Sequence, residues 1–113
     1  MKLESGDILS FEIEPRGMTL RLRDGDCGPD HEADTVTLDG VGAMRLMWGL
    51  RQIGQGMKPV YRTVSDGPDG KLEIGCDDDM CILYGADNVI TMHMHEVYAM
   101  MCAMSTRIWR LFI

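Results

Sequence analysis

The sequence predicts an α+β protein: an antiparallel sheet or sheets of about seven short strands with two helices, built from two tandem strand-hairpin-helix half-repeats related by a pseudo-twofold. Three observations predict it. The second half repeats the first, because residues 11–20 align with 72–82 across a one-residue gap and residues 36–44 align with 90–100. Short segments alternate apolar and polar side chains, as half-buried strands do. Each half ends in a longer apolar segment with helical spacing.

The first half has three predicted strands and one helix. Alternation predicts the first two strands, and Pro15-Arg16-Gly17 between them is a typical turn sequence. Asp39 precedes the helix and caps it, because its carboxylate accepts the free amides of the first turn. The predicted elements are strands over residues 8–14, 18–23 and 35–38 and a helix over 40–53.

The second half has the same order of elements with one strand added before it. Turn sequences separate the strands at residues 66–70, 77–79 and 85–88. The predicted elements are strands over residues 60–64, 71–75, 80–84 and 89–94 and a helix over 95–110.

Length and composition predict one folded domain. The chain has 113 residues, of which 45% are apolar and 26% charged, as in ordinary globular proteins. Halves of roughly 50 residues are marginal alone, so we expect them to share a core. We therefore predict a single domain over residues 1–113, with half-repeats at about 8–56 and 57–113.

The charge balance predicts the chemistry of the partner. Eighteen carboxylates against eleven lysines and arginines give a net charge of −7. Such a chain repels nucleic-acid phosphates and attracts basic proteins. Small inhibitors of nucleic-acid enzymes, including phage anti-defence proteins and bacterial toxin-immunity proteins, are similar in size and charge. We predict a small acidic non-enzymatic binding protein, an inhibitor of this kind, that docks on a basic protein partner.

The carboxylates are concentrated in two predicted loops, residues 24–34 and 77–79. We expect these loops to lie at one end of a rigid sheet, where carboxylates can imitate phosphate spacing or neutralise an arginine-lined groove. The predicted partner-binding residues are Asp24, Asp26, Asp30, Glu32, Asp34, Asp77, Asp78 and Asp79.

The last helix is apolar on more than one side, so more than one side must be covered. Either the sheet and the first helix cover both sides, or a second copy of the chain covers one. Methionine side chains adapt well to imperfect surfaces, and we expect a homodimer. The predicted self-association residues are Met100, Met101, Met104, Trp109 and Phe112.

The element order resembles that of the Whirly and PUR nucleic-acid-binding folds, which are doubled units of four strands and a helix. The resemblance is confined to element order, and it implies an alternative function, binding of single-stranded nucleic acid. The candidate contacts are Arg16, Arg21, Arg23 and Arg62, with Tyr61 and Tyr84 for base stacking. The acidic charge opposes this function, so we do not expect direct nucleic-acid binding.

A second alternative is a small zinc-binding protein. Cys76 and Cys81 flank an acidic turn, and His93 and His95 share one face of a predicted strand, which gives two thiols and two imidazoles. Their spacing departs from that of structural zinc sites, in which about two to four residues separate paired cysteines. We therefore predict no metal and no cofactor.

Enzymatic and membrane functions have little support. The sequence lacks a Gly-rich phosphate loop, a nucleophile elbow and a helical His-Glu-x-x-His motif. The pairs Cys27 with His31 and His95 with Glu96 are single adjacencies of common residues. No segment approaches the roughly 18 apolar residues of a membrane span, and no signal peptide is visible. We expect a cytoplasmic protein with reduced cysteines, no membrane partner and no enzymatic activity.

Overall fold

The computed structural model describes residues 1–15, 17–28, 30–57 and 62–112, and it has two antiparallel sheets and two α-helices. The elements are β1 (Ile8–Glu14), β2 (Gly17–Arg23), β3 (Asp34–Leu38), α1 (Gly40–Gly54), β4 (Arg62–Gly67), β5 (Gly70–Asp77), β6 (Met80–Tyr84), β7 (Val89–Met92) and α2 (Met94–Ser105), followed by a 3₁₀ helix (Ile108–Phe112). The predicted α+β class is confirmed, and the strands form two sheets.

The first sheet has the order β1-β2-β3. Alternation in β2 places Met18, Leu20 and Leu22 in the core, whereas Thr19 and Arg21 are exposed. Because side chains in a strand alternate between the two faces, this sheet has one buried face and one face in water.

The second sheet has the order β4-β5-β6-β7, with every neighbouring pair antiparallel. The predicted strand over residues 60–64 overlaps β4, which continues to Gly67; residues 60 and 61 lie outside the described residues. The turn between β5 and β6 contains Asp78, whose φ of 53° is left-handed. Aspartate tolerates this conformation better than most residues, so the turn is compatible with its sequence.

Strand β3 lies across one end of the second sheet. The Thr37 N–H donates to the carbonyl of Asp69 in the β4–β5 turn, at 3.0 Å. Gly70 has a φ of +116°, and a Cβ on it would lie 3.0 Å from the Thr35 carbonyl oxygen. Glycine therefore permits both the turn and the close approach of the two sheets.

The helices run antiparallel and side by side. The Tyr98 hydroxyl of α2 donates to the carbonyl of Gly54 at the end of α1, whereas Phe112 lies against Gly40 at the start of α1. Helix α1 contacts strands of both sheets. A Cβ on Gly49 would lie 3.0 Å from Ile74 of β5, so the absence of a side chain lets α1 approach the second sheet closely.

The two helices begin at identifiable caps. The Gly42 N–H donates to the Asp39 carboxylate at 2.8 Å, as predicted for α1. Helix α2 is capped at His93, whose N–H donates to the buried carboxylate of Glu96 at 2.9 Å. Strand β7 therefore ends at Met92, two residues earlier than predicted.

Helix α2 ends at Ser105, whereas the sequence predicts a helix to residue 110. The Ser105 hydroxyl donates to the Cys102 carbonyl and the Thr106 hydroxyl donates to the Ala103 carbonyl. Hydroxyls at consecutive positions thus bind carbonyl groups of the last turn, which favours its termination. The chain continues as the separate 3₁₀ helix.

Buried apolar side chains from both sheets and both helices form one core. Neither helix in the described part of the chain has the length and apolar character needed to cross a membrane.

Candidate functional site

The acidic loop, residues 24–34 between β2 and β3, is held at both ends by one buried side chain. The Asn88 amide oxygen accepts from the Asp24 N–H, and its amide nitrogen donates to the Glu32 carbonyl, both at 3.0 Å. Asn88 is 1% exposed and belongs to the β6–β7 turn. The shape of the loop therefore depends on a residue distant in sequence.

Asp34 fixes the same turn from the other side. One of its carboxylate oxygens accepts from the N–H groups of Asp87 and Asn88, at 2.8 and 2.7 Å. A Cβ on Gly85 would overlap this carboxylate, so the turn approaches Asp34 closely. The Asp34 carboxylate is thus engaged within the protein.

Asp7 connects the acidic loop to β7 and to the N-terminal segment. This buried carboxylate accepts from the Gly25 N–H, the Thr91 N–H and the Ser5 hydroxyl, each at 2.8 Å. Burying a carboxylate is costly unless hydrogen bonds compensate, and three donors do so here. Neither Asp7 nor Asn88 belongs to a local motif, so the sequence alone does not mark them as important.

Two contacts within the loop complete its fixed shape. The Arg23 guanidinium donates to the His31 carbonyl at 3.1 Å, and the Asp26 N–H donates to the Asp24 carboxylate at 2.9 Å. Asp24 and Asp34, both predicted partner-binding residues, therefore use carboxylate oxygens to hold the loop.

Three carboxylates of the loop face solvent: Asp26, Asp30 and Glu32. The loop thus holds its backbone in place with buried groups while these three charged side chains extend outward.

The fold adds three exposed carboxylates near this loop. Asp87 lies in the β6–β7 turn that contacts Asp34, Asp66 lies near the end of β4, and Asp69 lies in the β4–β5 turn beside β3. We call the six exposed carboxylates the acidic end: Asp26, Asp30, Glu32, Asp66, Asp69 and Asp87. The sequence identifies residues 66–70 as a turn, but only the crossing of β3 over the sheet brings that turn to the loop.

A cleft of about 420 Å³ opens beside the acidic end, between the β4–β5 turn and the start of α1. Asp39, Asp66 and Asp69 contribute carboxylates to its lining, together with Arg45 and Ser65. Its polar lining and negative charge suit a cationic side chain.

The expectation that both acidic loops share one end of the sheet is wrong. Asp77 ends β5, and Asp78 and Asp79 form the β5–β6 turn, whereas the acidic loop contacts the β6–β7 turn, at the opposite end of β6. A five-residue strand spans roughly 17 Å. Antiparallel pairing forces consecutive turns to opposite ends of a sheet, so the two clusters form separate surfaces.

The predicted self-association residues have different environments. Met100 and Met104 lie in the core of the monomer, at 1% and 0% exposure, so neither is available to a second copy. Met101 is half-buried, and Trp109 and Phe112 are exposed. Helix α1 and the sheets therefore cover this side of α2, which is the other of the two arrangements that its apolar sides allow.

The arginines proposed for nucleic-acid binding do not converge. Arg21 and Arg23 belong to the first sheet, and Arg23 adjoins the acidic loop. Arg62 pairs with Ile74 in the second sheet, towards its other end, and Tyr84 ends β6. Arg16 and Tyr61 lie outside the described residues. The described members thus form no continuous basic groove.

The four residues of the zinc alternative have separate partners. Cys76 and Cys81 are opposite each other in β5 and β6, whereas His93 and His95 both lie within 3.4 Å of the Glu4 carboxylate. Within residues 1–15, 17–28, 30–57 and 62–112, no three histidine, cysteine or acidic side chains are grouped as metal ligands.

The thiols of Cys27, in the acidic loop, and Cys81, of the zinc alternative, have little thiolate character. Burial and then the Asp24 and Asp26 carboxylates raise the pKa of Cys27. Burial, with a smaller contribution from Cys76, raises the pKa of Cys81 to about 12. Both thiols therefore stay protonated at neutral pH, which makes them weak nucleophiles and weak metal ligands.

Comparison with known proteins gives no relative from which a function could be transferred. No protein-family model, curated protein or solved structure matches this chain.

Proposed function

We propose that this chain is a small non-enzymatic binding protein whose acidic end docks on a basic protein partner. An inhibitor role, of the phage anti-defence or immunity type, is part of the proposal, and the size and the net charge of −7 support it. The observation that carries the proposal is the acidic loop, whose backbone is fixed by buried groups while Asp26, Asp30 and Glu32 face solvent.

Pre-organisation is the physical reason why this loop suits a docking surface. A flexible loop must be ordered on binding, and the lost conformational freedom weakens the complex. Asp7, Asp34 and Asn88 already meet that cost during folding, through hydrogen bonds to backbone N–H and carbonyl groups. The outward carboxylates remain available for cationic groups of a partner.

The distribution of charge over the surface also supports docking through the acidic end. The acidic end carries six exposed carboxylates, whereas α1 has no acidic residue and carries Arg45 and Arg51. Separated charge of this kind steers a basic partner away from the helices and towards the carboxylate-bearing turns, and it accelerates the encounter. The cleft beside Asp66 and Asp69 offers a pocket for one of the partner's lysine or arginine side chains.

The test compares two variants with the same change in charge. One carries Asp26→Lys, Asp30→Lys and Glu32→Lys at the acidic end, and the control carries Asp77→Lys, Asp78→Lys and Asp79→Lys. Three carboxylates replaced by three ammonium groups add six positive charges, so both variants change from −7 to −1. Binding partners are captured from lysate with the wild type, identified by mass spectrometry, purified and measured by stopped-flow association at low and high salt.

We expect the acidic-end variant to bind the captured partner about tenfold more slowly or worse, with little remaining salt dependence. The control should retain most of the wild-type rate. Equal losses in both variants would show that only net charge matters, and an unchanged rate in the acidic-end variant would refute the docking surface.

We also propose that the halves at about 8–56 and 57–113 are copies of one unit related by a pseudo-twofold. Two observations support it: β1-β2-β3-α1 and β5-β6-β7-α2 have the same element order, and both helices follow a strand of similar pattern. Val36-Thr37-Leu38 precedes the cap Asp39, and Ile90-Thr91-Met92 precedes the cap His93.

A cytoplasmic location is the last part of the proposal. All four cysteines are free thiols, although Cys76 and Cys81 are directly opposite each other in neighbouring strands. Free thiols are typical of a reducing compartment.

A further inference from the structure

The outward face of the helices carries an apolar ridge. Val41, Met44 and Trp48 are spaced by three and four residues along α1, and all three are exposed, Val41 at 58% and Trp48 at 51%. Residues at this spacing lie on one side of a helix, so their side chains form a single row. We call this row the α1 ridge.

An apolar groove runs beside the ridge, between α1 and α2. The groove has a volume of about 430 Å³, and Met47 of α1 and Met101 and Cys102 of α2 line it. Ile108 of the 3₁₀ helix and Met44 of the ridge also contribute to the lining, and Ser105 and the exposed Arg51 form its polar part. We call it the helix groove; its methionines can adapt to the shape of an inserted side chain.

We propose that a second copy of this chain docks on this face, with the α1 ridge of each copy in the helix groove of the other. In a twofold-symmetric contact each surface must be complementary to itself, and a ridge beside a groove meets that requirement. Side chains spaced at i, i+3 and i+7 are those that fill the groove between two helices. The dimer surface therefore centres on α1, not on the buried Met100 and Met104.

The apolar area of the face matches what a stable dimer needs. Trp48, Tyr98 and Phe112 are each more than half exposed. A fully exposed aromatic side chain offers about 150–250 Å², so these three and the neighbouring aliphatic side chains expose on the order of 500 Å². A standard interface buries about 800 Å² per partner, of which roughly 60% is apolar. An apolar patch of this size lies in the upper part of the range that a single monomer exposes, and such patches often mark interaction sites.

Charge favours this face over the rest of the surface as the meeting point of two copies. Each copy carries −7, so copies repel each other wherever exposed carboxylates would meet. Helix α1 has no acidic residue, and the one in α2, Glu96, is buried. Copies that approach through their helices therefore bring together no exposed carboxylate of α1 or α2.

The test is sedimentation equilibrium of the wild type and two matched variants from low to high micromolar concentration. Met44→Glu places a carboxylate between the ridge and the groove, and Ile8→Glu places one at a similarly exposed apolar position in β1, since Met44 is 46% and Ile8 42% exposed. We expect a wild-type dimer whose dissociation constant rises about a hundredfold or more in Met44→Glu and changes little in Ile8→Glu. Thermal melts of the variants at low concentration check that both fold.

Several outcomes would overturn the inference: a wild-type monomer throughout the range, a dimer that Met44→Glu leaves intact, or a monomer whose Trp48 is shielded only in a complex with a different protein. The inference is independent of the acidic end. Reversal of Asp26, Asp30 and Glu32 should leave the dimer unchanged, and Met44→Glu should leave association with a basic partner unchanged, so the two proposals fail separately.

Discussion

At the residue scale, the acidic loop owes its shape to three side chains that lie mostly outside it. Asp7 and Asn88 are buried, and with Asp34 they bind the backbone of residues 24, 25, 32, 87, 88 and 91. A run of carboxylates repels itself, and by sequence alone it is typical of a mobile loop. Here hydrogen bonds to the backbone hold the run in one conformation.

Substitution of Asn88 tests this account. Asn88→Ala leaves the Asp24 N–H and the Glu32 carbonyl without their partner in a buried site, so we expect the free energy of unfolding to fall by about 2 kcal/mol. Urea denaturation measures the loss, and limited proteolysis should detect faster cleavage within residues 24–34.

Asp87→Ala is the control. The Asp87 side chain is exposed, and the adjacent Asn88 makes the buried hydrogen bonds to the acidic loop. We expect that variant to unfold within about 0.5 kcal/mol of the wild type. Equal destabilisation of the two variants would mean that the turn as a whole, rather than the Asn88 amide, orders the loop.

At the element scale, local sequence patterns predict the strands well and the helix ends less well. Period-two alternation depends only on which face is buried, and β2 follows it residue by residue. The cap at Asp39 is equally local, and α1 starts where predicted. Helix α2 ends early because of the hydroxyls of Ser105 and Thr106, which an apolar periodicity does not register.

The Asp39 cap gives a prediction for α1. Asp39→Ala removes the acceptor for the Gly42 N–H and should lower the free energy of unfolding by about 1 kcal/mol. Asp39→Ser keeps an oxygen in reach of that N–H and should remain close to the wild type. Thermal or urea unfolding followed by circular dichroism measures both, and equal stability of Asp39→Ala and Asp39→Ser would contradict the role of the cap.

At the scale of the whole molecule, charge and apolar surface are separated. Carboxylates occupy turns at both ends of the second sheet, and the helices present arginines and apolar side chains. The sequence shows the two acidic loops but not their distance, because that depends on how β3 crosses the sheet. It also does not reveal the α1 ridge, because the spacing of apolar residues does not show that the fold leaves Val41, Met44 and Trp48 exposed.

The proposed repeat gives a prediction at this scale. If the halves are equivalent units, the segment 57–113 expressed alone should pair with itself and replace the missing half by a second copy. We expect a homodimer with both helical and strand signals in circular dichroism and a concentration-dependent melting temperature. An unfolded monomer at high concentration would contradict the equivalence of the halves.

The contacts of Asp7 with Thr91, and of Asn88 with both ends of the acidic loop, also set an order of events during synthesis. The hydrogen bonds join residues that are 84 positions apart for Asp7 and Thr91, 64 for Asp24 and Asn88, and 56 for Glu32 and Asn88. They therefore form only after most of the chain has left the ribosome. Local helices and hairpins form in microseconds and need no such wait. A nascent chain therefore acquires the fixed shape of the acidic loop last, and a truncated product without residues 88–91 would keep its negative charge without the hydrogen bonds that define that shape.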